Sequence, residues 1–175
     1  MKRKWFQASA CCVLLFALAG CGKTVEEQID TGVASAQTVF EETPQHPNQT
    51  IGKIKLYVPS GFAVEETEDL NNLILKKGNE SYLLFVNYYE MEDSNLHYKL
   101  LKNNPSSKII KEQTVEFDGA FGFTAVTEYD EEQFELIVSS GGVKMSTISE
   151  DQNIDEKLVD MMTIVRSVDI VKENN

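Results

Sequence analysis

The chain has 175 residues, 42% of them hydrophobic and 25% charged, a globular composition that excludes a disordered, collagenous or multi-spanning protein. Its 16 basic and 28 acidic residues give a net charge of −12, and because Lys2, Arg3 and Lys4 are the only charged residues before Cys21, the chain from Cys21 onward carries −15. That balance argues against a nucleic-acid partner, and with all three cysteines among the first 21 residues no disulfide can form beyond them.

Lys2 to Lys4 make a basic start, and Ala8 to Ala19 make an apolar run of about a dozen residues, short of the ~20 that a permanent transmembrane helix requires. A basic flank followed by a short apolar run reads as a secretory signal. The run ends in Leu18-Ala19-Gly20-Cys21, which resembles the bacterial lipobox. The resemblance implies that Cys21 accepts a diacylglyceryl group and that the signal is cleaved between Gly20 and Cys21. The chemistry suits the residue types: thioether formation needs a thiol nucleophile, and the small side chains of Ala19 and Gly20 let a peptidase approach the backbone. Two acyl chains matter, because one chain of myristoyl length binds only marginally. On this reading residues 1–20 are a signal peptide, the first partner is membrane lipid, and the protein sits on the extracytoplasmic side of the cell membrane. Gly22-Lys23-Thr24 copies the end of a phosphate-binding P-loop, but Ala17 stands where that loop needs its first glycine.

Residues 21–50 read as a lipid-anchored tether that closes with Pro44, His46, Pro47 and Asn48. Two states fit it. A flexible chain of this length spans about 30 Å. Alternatively Val25, Ile29, Val33, Ala36 and Phe40 recur at helical spacing, Thr24 with Glu27 makes a capping box, and the resulting apolar stripe needs a partner in the domain, the membrane or another protein. Gly32 counts against the helix by roughly 1 kcal/mol relative to alanine.

Residues 51–171 read as one α+β domain, and 172–175 as a tail. Ile54, Leu56 and Val58 alternate with Lys53, Lys55 and Tyr57 in a strand that stops at Pro59-Ser60-Gly61. Leu73 to Lys77 and Tyr82 to Tyr89 form a hairpin around Gly78-Asn79, the second strand being apolar on both faces and therefore covered on each. Ser94 to Lys102 reads as a short helix capped by Ser94, with Leu96 and Leu100 on one face. An antiparallel series follows, Lys108 to Phe117, Ala120 to Tyr129, Gln133 to Ser139 and Val143 to Ser149, with turns at Asp118-Gly119 and Ser140-Gly141-Gly142. A last helix places Ile154, Leu158, Met161 and Val165 on its core face and runs to Arg166. The expectation is a single antiparallel sheet of six or seven strands flanked by helices.

The Val58-Pro59-Ser60-Gly61-Phe62 turn after the first strand, the hairpin meander and the closing Ile164-Val165-Arg166-Ser167-Val168 resemble the PsbP-like α/β/α sandwich, a fold common among small extracytoplasmic lipoproteins. The resemblance implies binding or accessory roles and carries no catalytic motif.

The chemistry-bearing residues are sparse. His46 and His97 are the only histidines, so a Cys/His zinc site is excluded by inventory. His97, four residues after Asp93, reads as half of a helix-surface pair. No Gly-x-Ser-x-Gly is present. Asp151, Asn153 and Asp155 copy the first half of a calcium loop, but Glu156 and Met162 occupy its obligatory glycine and glutamate positions. Glu65, Glu66, Glu68 and Asp69, and Asp130 to Glu132, read as solvated acidic loops. Tyr82, Phe85, Tyr88 and Tyr89 read as core more than as the lining of a ligand cleft. No catalytic, cofactor-binding or metal-ligating residue is therefore assigned, and the protein is read as non-enzymatic: a lipoprotein whose domain serves an envelope protein or cell-wall component, with a small-ligand or cation-binding lipoprotein accessory to transport as the alternative.

Overall fold

A computed structural model describes residues 22–171 apart from positions 66, 68 and 70. In chain order the described residues form α1 (Val25–Glu41), β1 (Gln49–Ile51), β2 (Ile54–Leu56), β3 (Phe62–Glu65), β4 (Asn72–Lys77), β5 (Glu80–Val86), α2 (Leu96–Asn103), β6 (Lys108–Phe117), β7 (Ala120–Asp130), β8 (Gln133–Ser140), β9 (Val143–Ser149), α3 (Ile154–Arg166) and β10 (Asp169–Ile170). The large sheet is antiparallel with seven strands in the order β3-β4-β5-β9-β8-β7-β6, and β1-β2-β10 make a second, three-stranded sheet.

The expected single sheet is thus two. The strand at Ile54 leaves the large sheet and pairs with β1 and β10, while Phe62–Glu65 takes the edge position beside β4. The reason lies in the backbone groups after Leu56: Ser167 Oγ accepts from the Tyr57 amide at 2.8 Å, and the Asn48 side chain bonds the Val58 amide and carbonyl at 2.8 and 3.0 Å. With those groups satisfied, and Gly61 turning the chain at φ 89°, the strand ends and a new one starts.

The helical alternative for residues 24–41 is the one adopted. Thr24 and Glu27 form both bonds of the capping box, at 3.2 and 2.9 Å. The stripe Ile29, Val33, Ala36, Phe40 is buried against α3, β6 and β7 within the main core. Gly32 is where the helices meet: a Cβ there would lie 2.8 Å from the Asp155 Cα and 2.9 Å from Leu158. At the far end the Arg166 guanidinium stacks over the Phe40 ring, 4.3 Å from its centroid. Since Gly32 meets the start of α3 and Phe40 its last residue, the two helices run in the same direction. A ~30 Å flexible span therefore does not describe residues 25–41.

Helix α2 covers the opposite face of the sheet, where Leu101 packs on Phe123, Ala125 and Ile137. Its inward side differs from the expected one: His97 and Leu101 are buried while Leu100 is exposed. The helix begins at Leu96, one residue later than a Ser94 cap requires, although the Ser94 hydroxyl, which donates to the Glu90 carboxylate, still accepts from the Leu96 amide at 3.3 Å. Strand β5 is likewise fully covered on one face only; Tyr82, Leu84 and Val86 enter the core and Leu83 faces solvent.

One ion pair reaches into the core. Lys157 Nζ lies 2.5 Å from Glu80 Oε1 and donates to Ser149 Oγ at 2.8 Å, while the Tyr82 hydroxyl donates to Glu80 Oε2 at 2.7 Å. Burial raises the Glu80 carboxyl, but the bonds from Lys157 and Tyr82 and the charges of Lys157 and Lys77 outweigh it and hold it below its ordinary 4.5. A carboxyl with a lowered folded value contributes stability above its unfolded value and loses it as pH falls through the folded one. The melting temperature of Glu80→Gln is therefore expected to fall less steeply than that of the parent from about pH 5 to about pH 3, followed by circular dichroism. Equal slopes would remove Glu80 from the acid transition.

Candidate functional site

Cys21 and Gly20 lie outside the described residues, as do Glu66 and Glu68 of the first acidic cluster and the tail 172–175. The chain directly after Cys21 is described, and it lies against the start of α3. Lys23 Nζ lies 2.5 Å from Asp155 Oδ2. The Gln28 side chain donates to the carbonyls of Lys23 and Asp151, both at 3.2 Å, and accepts from the Ile154 amide at 3.1 Å. That last bond satisfies an amide at the start of α3 that Asn153, at φ 57° and with no side-chain cap, leaves open.

These contacts also engage one carboxylate of the calcium-loop pattern. Asp155 is engaged by Lys23, whose hydrogen bond holds its carboxyl below the ordinary range against the effect of burial. Asp69 in the other cluster is turned inward on its own loop, accepting from the Asn71 amide at 2.8 Å and from the Asn72 side chain at 2.5 Å. Among the described residues no three His, Cys, Asp or Glu side chains converge as a metal cage.

The β7–β8 hairpin tip and the β9–α3 junction enclose a shallow cleft of about 350 Å³, lined by Asp130, Glu131, Glu132, Gln133, Glu150 and Asp151. Asp151 links it to the Gln28 contact. The sequence singled out the hairpin-tip carboxylates but not their meeting with Glu150 and Asp151, which are about 20 positions away and arrive only through the antiparallel pairing of β8 with β9. Chemically the cleft is a concentration of negative charge.

The four aromatic residues of the β5 region do not converge. Tyr82 is buried edge-on to Phe62 with its hydroxyl on Glu80. Phe85 lies on the other face, edge-on to His97 at 5.7 Å. His97 does not form the expected Asp93 pair; its Nε2 is 3.2 Å from the Gly142 carbonyl, and burial pushes the imidazole below its ordinary 6.5 despite that bond. His97 thus ties α2 to the β8–β9 turn.

At this end of the sheet, residues 87–95 form a loop whose backbone is fixed while two large side chains point outward. Asn87 donates to the Gly142 carbonyl at 2.9 Å, Phe121 donates to the Glu92 carbonyl at 2.9 Å, and a Cβ on Gly141 would lie 2.6 Å from the Met91 carbonyl. Tyr89 is nevertheless 94% exposed and Met91 75%. The strand expected to run to Tyr89 ends at Val86, and Met91 lies in the loop beyond it. The usable signal was the run Glu90 to Asn95, too polar and too rich in turn formers for a strand.

The acidic cleft and this loop lie at opposite ends of the molecule. Gly122, beside Phe40 and near the loop, and Asp130, in the cleft, are eight residues apart on β7, about 26 Å at 3.3 Å per residue.

The molecule is therefore an α+β protein built on an antiparallel seven-stranded sheet, with α1 and α3 on one face and α2 on the other. No family model matches the chain, and no curated protein is significantly similar to it. Among solved structures it is similar to the solution structure of cyanobacterial PsbP (CyanoP) from Synechocystis sp. PCC 6803, at 11% identity and a TM-score of 0.44 over 73% of this chain and 98% of that one. A PsbP protein is thus a distant structural neighbour. Among the described residues no helix is long and apolar enough to cross a membrane.

Proposed function

We propose that this chain is an extracytoplasmic lipoprotein, anchored through a diacylglyceryl group on Cys21, whose PsbP-like domain binds an envelope protein or cell-wall component and carries out no catalysis. The observation that carries the reading is the loop 87–95. An exposed tyrosine and an exposed methionine on a backbone already held by Gly142, Phe121 and Gly141 form a preorganised contact surface. Tyrosine and methionine are favoured in interfaces, and little ordering remains to be done on binding. Their position at the end remote from Lys23 suits a domain attached to a membrane at the other end.

The experiment has two arms. Cys21→Ser is expected to leave the membrane fraction or to accumulate with its signal attached; a processed variant retained in the membrane would overturn the lipid anchor. A photo-crosslinking amino acid at position 89 of the anchored protein is expected to capture a discrete envelope protein or wall fragment in cells, and the same probe at the exposed Lys55 is expected to capture less. Equal yields at the two positions would overturn the loop as the binding surface.

A further inference from the structure

We infer that the lipid-anchored protein stands on the bilayer in one orientation, with the acidic-cleft end against the headgroups and the Tyr89–Met91 loop held away from them. The inference rests on the anchoring reading above. It follows from how the residues next to Cys21 are held. Two residues of chain span at most about 7 Å, so Cys21 is within that distance of Lys23. Lys23 is in turn paired with Asp155, and Gln28 bridges the first turn of α1 to Asp151 and Ile154. Helix α1 begins at Val25, is capped by Thr24 and buries Ile29, Val33, Ala36 and Phe40 in the core, so the joint to Cys21 is no longer than Gly22 and Lys23.

The surface brought to the headgroups is an unusual one for a membrane contact. Asp130, Glu131, Glu132, Glu150 and Asp151 line it. Their repulsion from anionic headgroups is screened over about 8 Å at physiological salt. Burial of the α1 stripe does not depend on salt in that way. Charge can therefore adjust the gap and the tilt at Gly22, but it cannot turn the domain over, because the joint is shorter than the distance from the cleft to the loop.

The test uses the full-length protein purified from membranes with its lipid. With the leader removed and Cys21 in thioether linkage, an introduced cysteine is the one free thiol. Glu131→Cys and Met91→Cys, both at exposed positions, are each spin-labelled and placed in vesicles of phosphatidylglycerol and phosphatidylethanolamine containing a nickel-chelating headgroup lipid. Because the two ends are about 26 Å apart along β7, relaxation of the label at position 131 is expected to exceed that at 91. Equal relaxation, or the reverse order, in protein whose mass includes the diacylglyceryl group would overturn the orientation and leave the anchor standing. A mass without that group would overturn the anchor and this inference together.

Discussion

Replacing Phe40 with alanine is expected to destabilise the protein by about 3–5 kcal/mol, the range for removing a large aromatic side chain from a packed core. Phe40 is fully buried at the end of α1, with the Arg166 guanidinium stacked over its ring. Its seat is shaped by Gly122, where a Cβ would lie 2.7 Å from the ring's Cδ2 and 2.8 Å from the Ser139 carbonyl. No side chain is available to fill the gap from that side, so the cavity should persist. Against the 5–15 kcal/mol that hold an ordinary domain together, the loss is large. Urea denaturation followed by circular dichroism measures it. A loss below about 1 kcal/mol would mean that α1 is docked only loosely and would restore the flexible tether.

Gly32→Ala is expected to act in opposite directions in the isolated segment and in the protein. In a peptide covering residues 24–41 alanine should raise helicity, since glycine is worse by about 1 kcal/mol in a helix interior. In the protein the new methyl would meet the backbone of Asp155 at 2.8 Å and Leu158 at 2.9 Å. Overpacking of that kind costs about 1–3 kcal/mol, and the obstacle is backbone, which moves only with the whole of α3. A net loss of up to about 2 kcal/mol is the expected balance. Stabilisation of the folded protein by Gly32→Ala would show that α1 and α3 do not approach as described.

Gly32 also explains part of what was legible. Read along the chain, it weakens a helix that the spacing of Ile29, Val33, Ala36 and Phe40 supports, because propensity is a local quantity. Its value lies in a contact with Asp155, 123 positions away, which no local pattern contains. The long hairpins β6 to β9 were legible for the converse reason: alternation and the Asp118-Gly119 and Ser140-Gly141-Gly142 turns are local and specify register directly. The short β1, β3 and β10 were not, since two to four residues cannot display a period and their pairing depends on Asn48 and Ser167 satisfying the backbone between them. On α2 the polar ring of His97 displaced Leu100 from the inward face, because Nε2 finds the Gly142 carbonyl there and a buried imidazole so bonded is tolerated.

By itself the sequence determined the character of the two parts of the chain: a basic, cysteine-bearing, apolar stretch that ends at Leu18-Ala19-Gly20-Cys21, and an acidic α+β part carrying −15 from Cys21 onward. Charge and apolar runs are sums over neighbouring residues and need no folding to be read. The tertiary structure decided where those charges go and what the helix after Cys21 does. Pairing of β8 with β9 gathers Asp130 to Glu132 with Glu150 and Asp151 at one end. Packing of α1 on α3 places Lys23 at that same end and leaves Tyr89 and Met91 at the other. Both outcomes are set by contacts between residues far apart in the chain, which exist only once the core has closed.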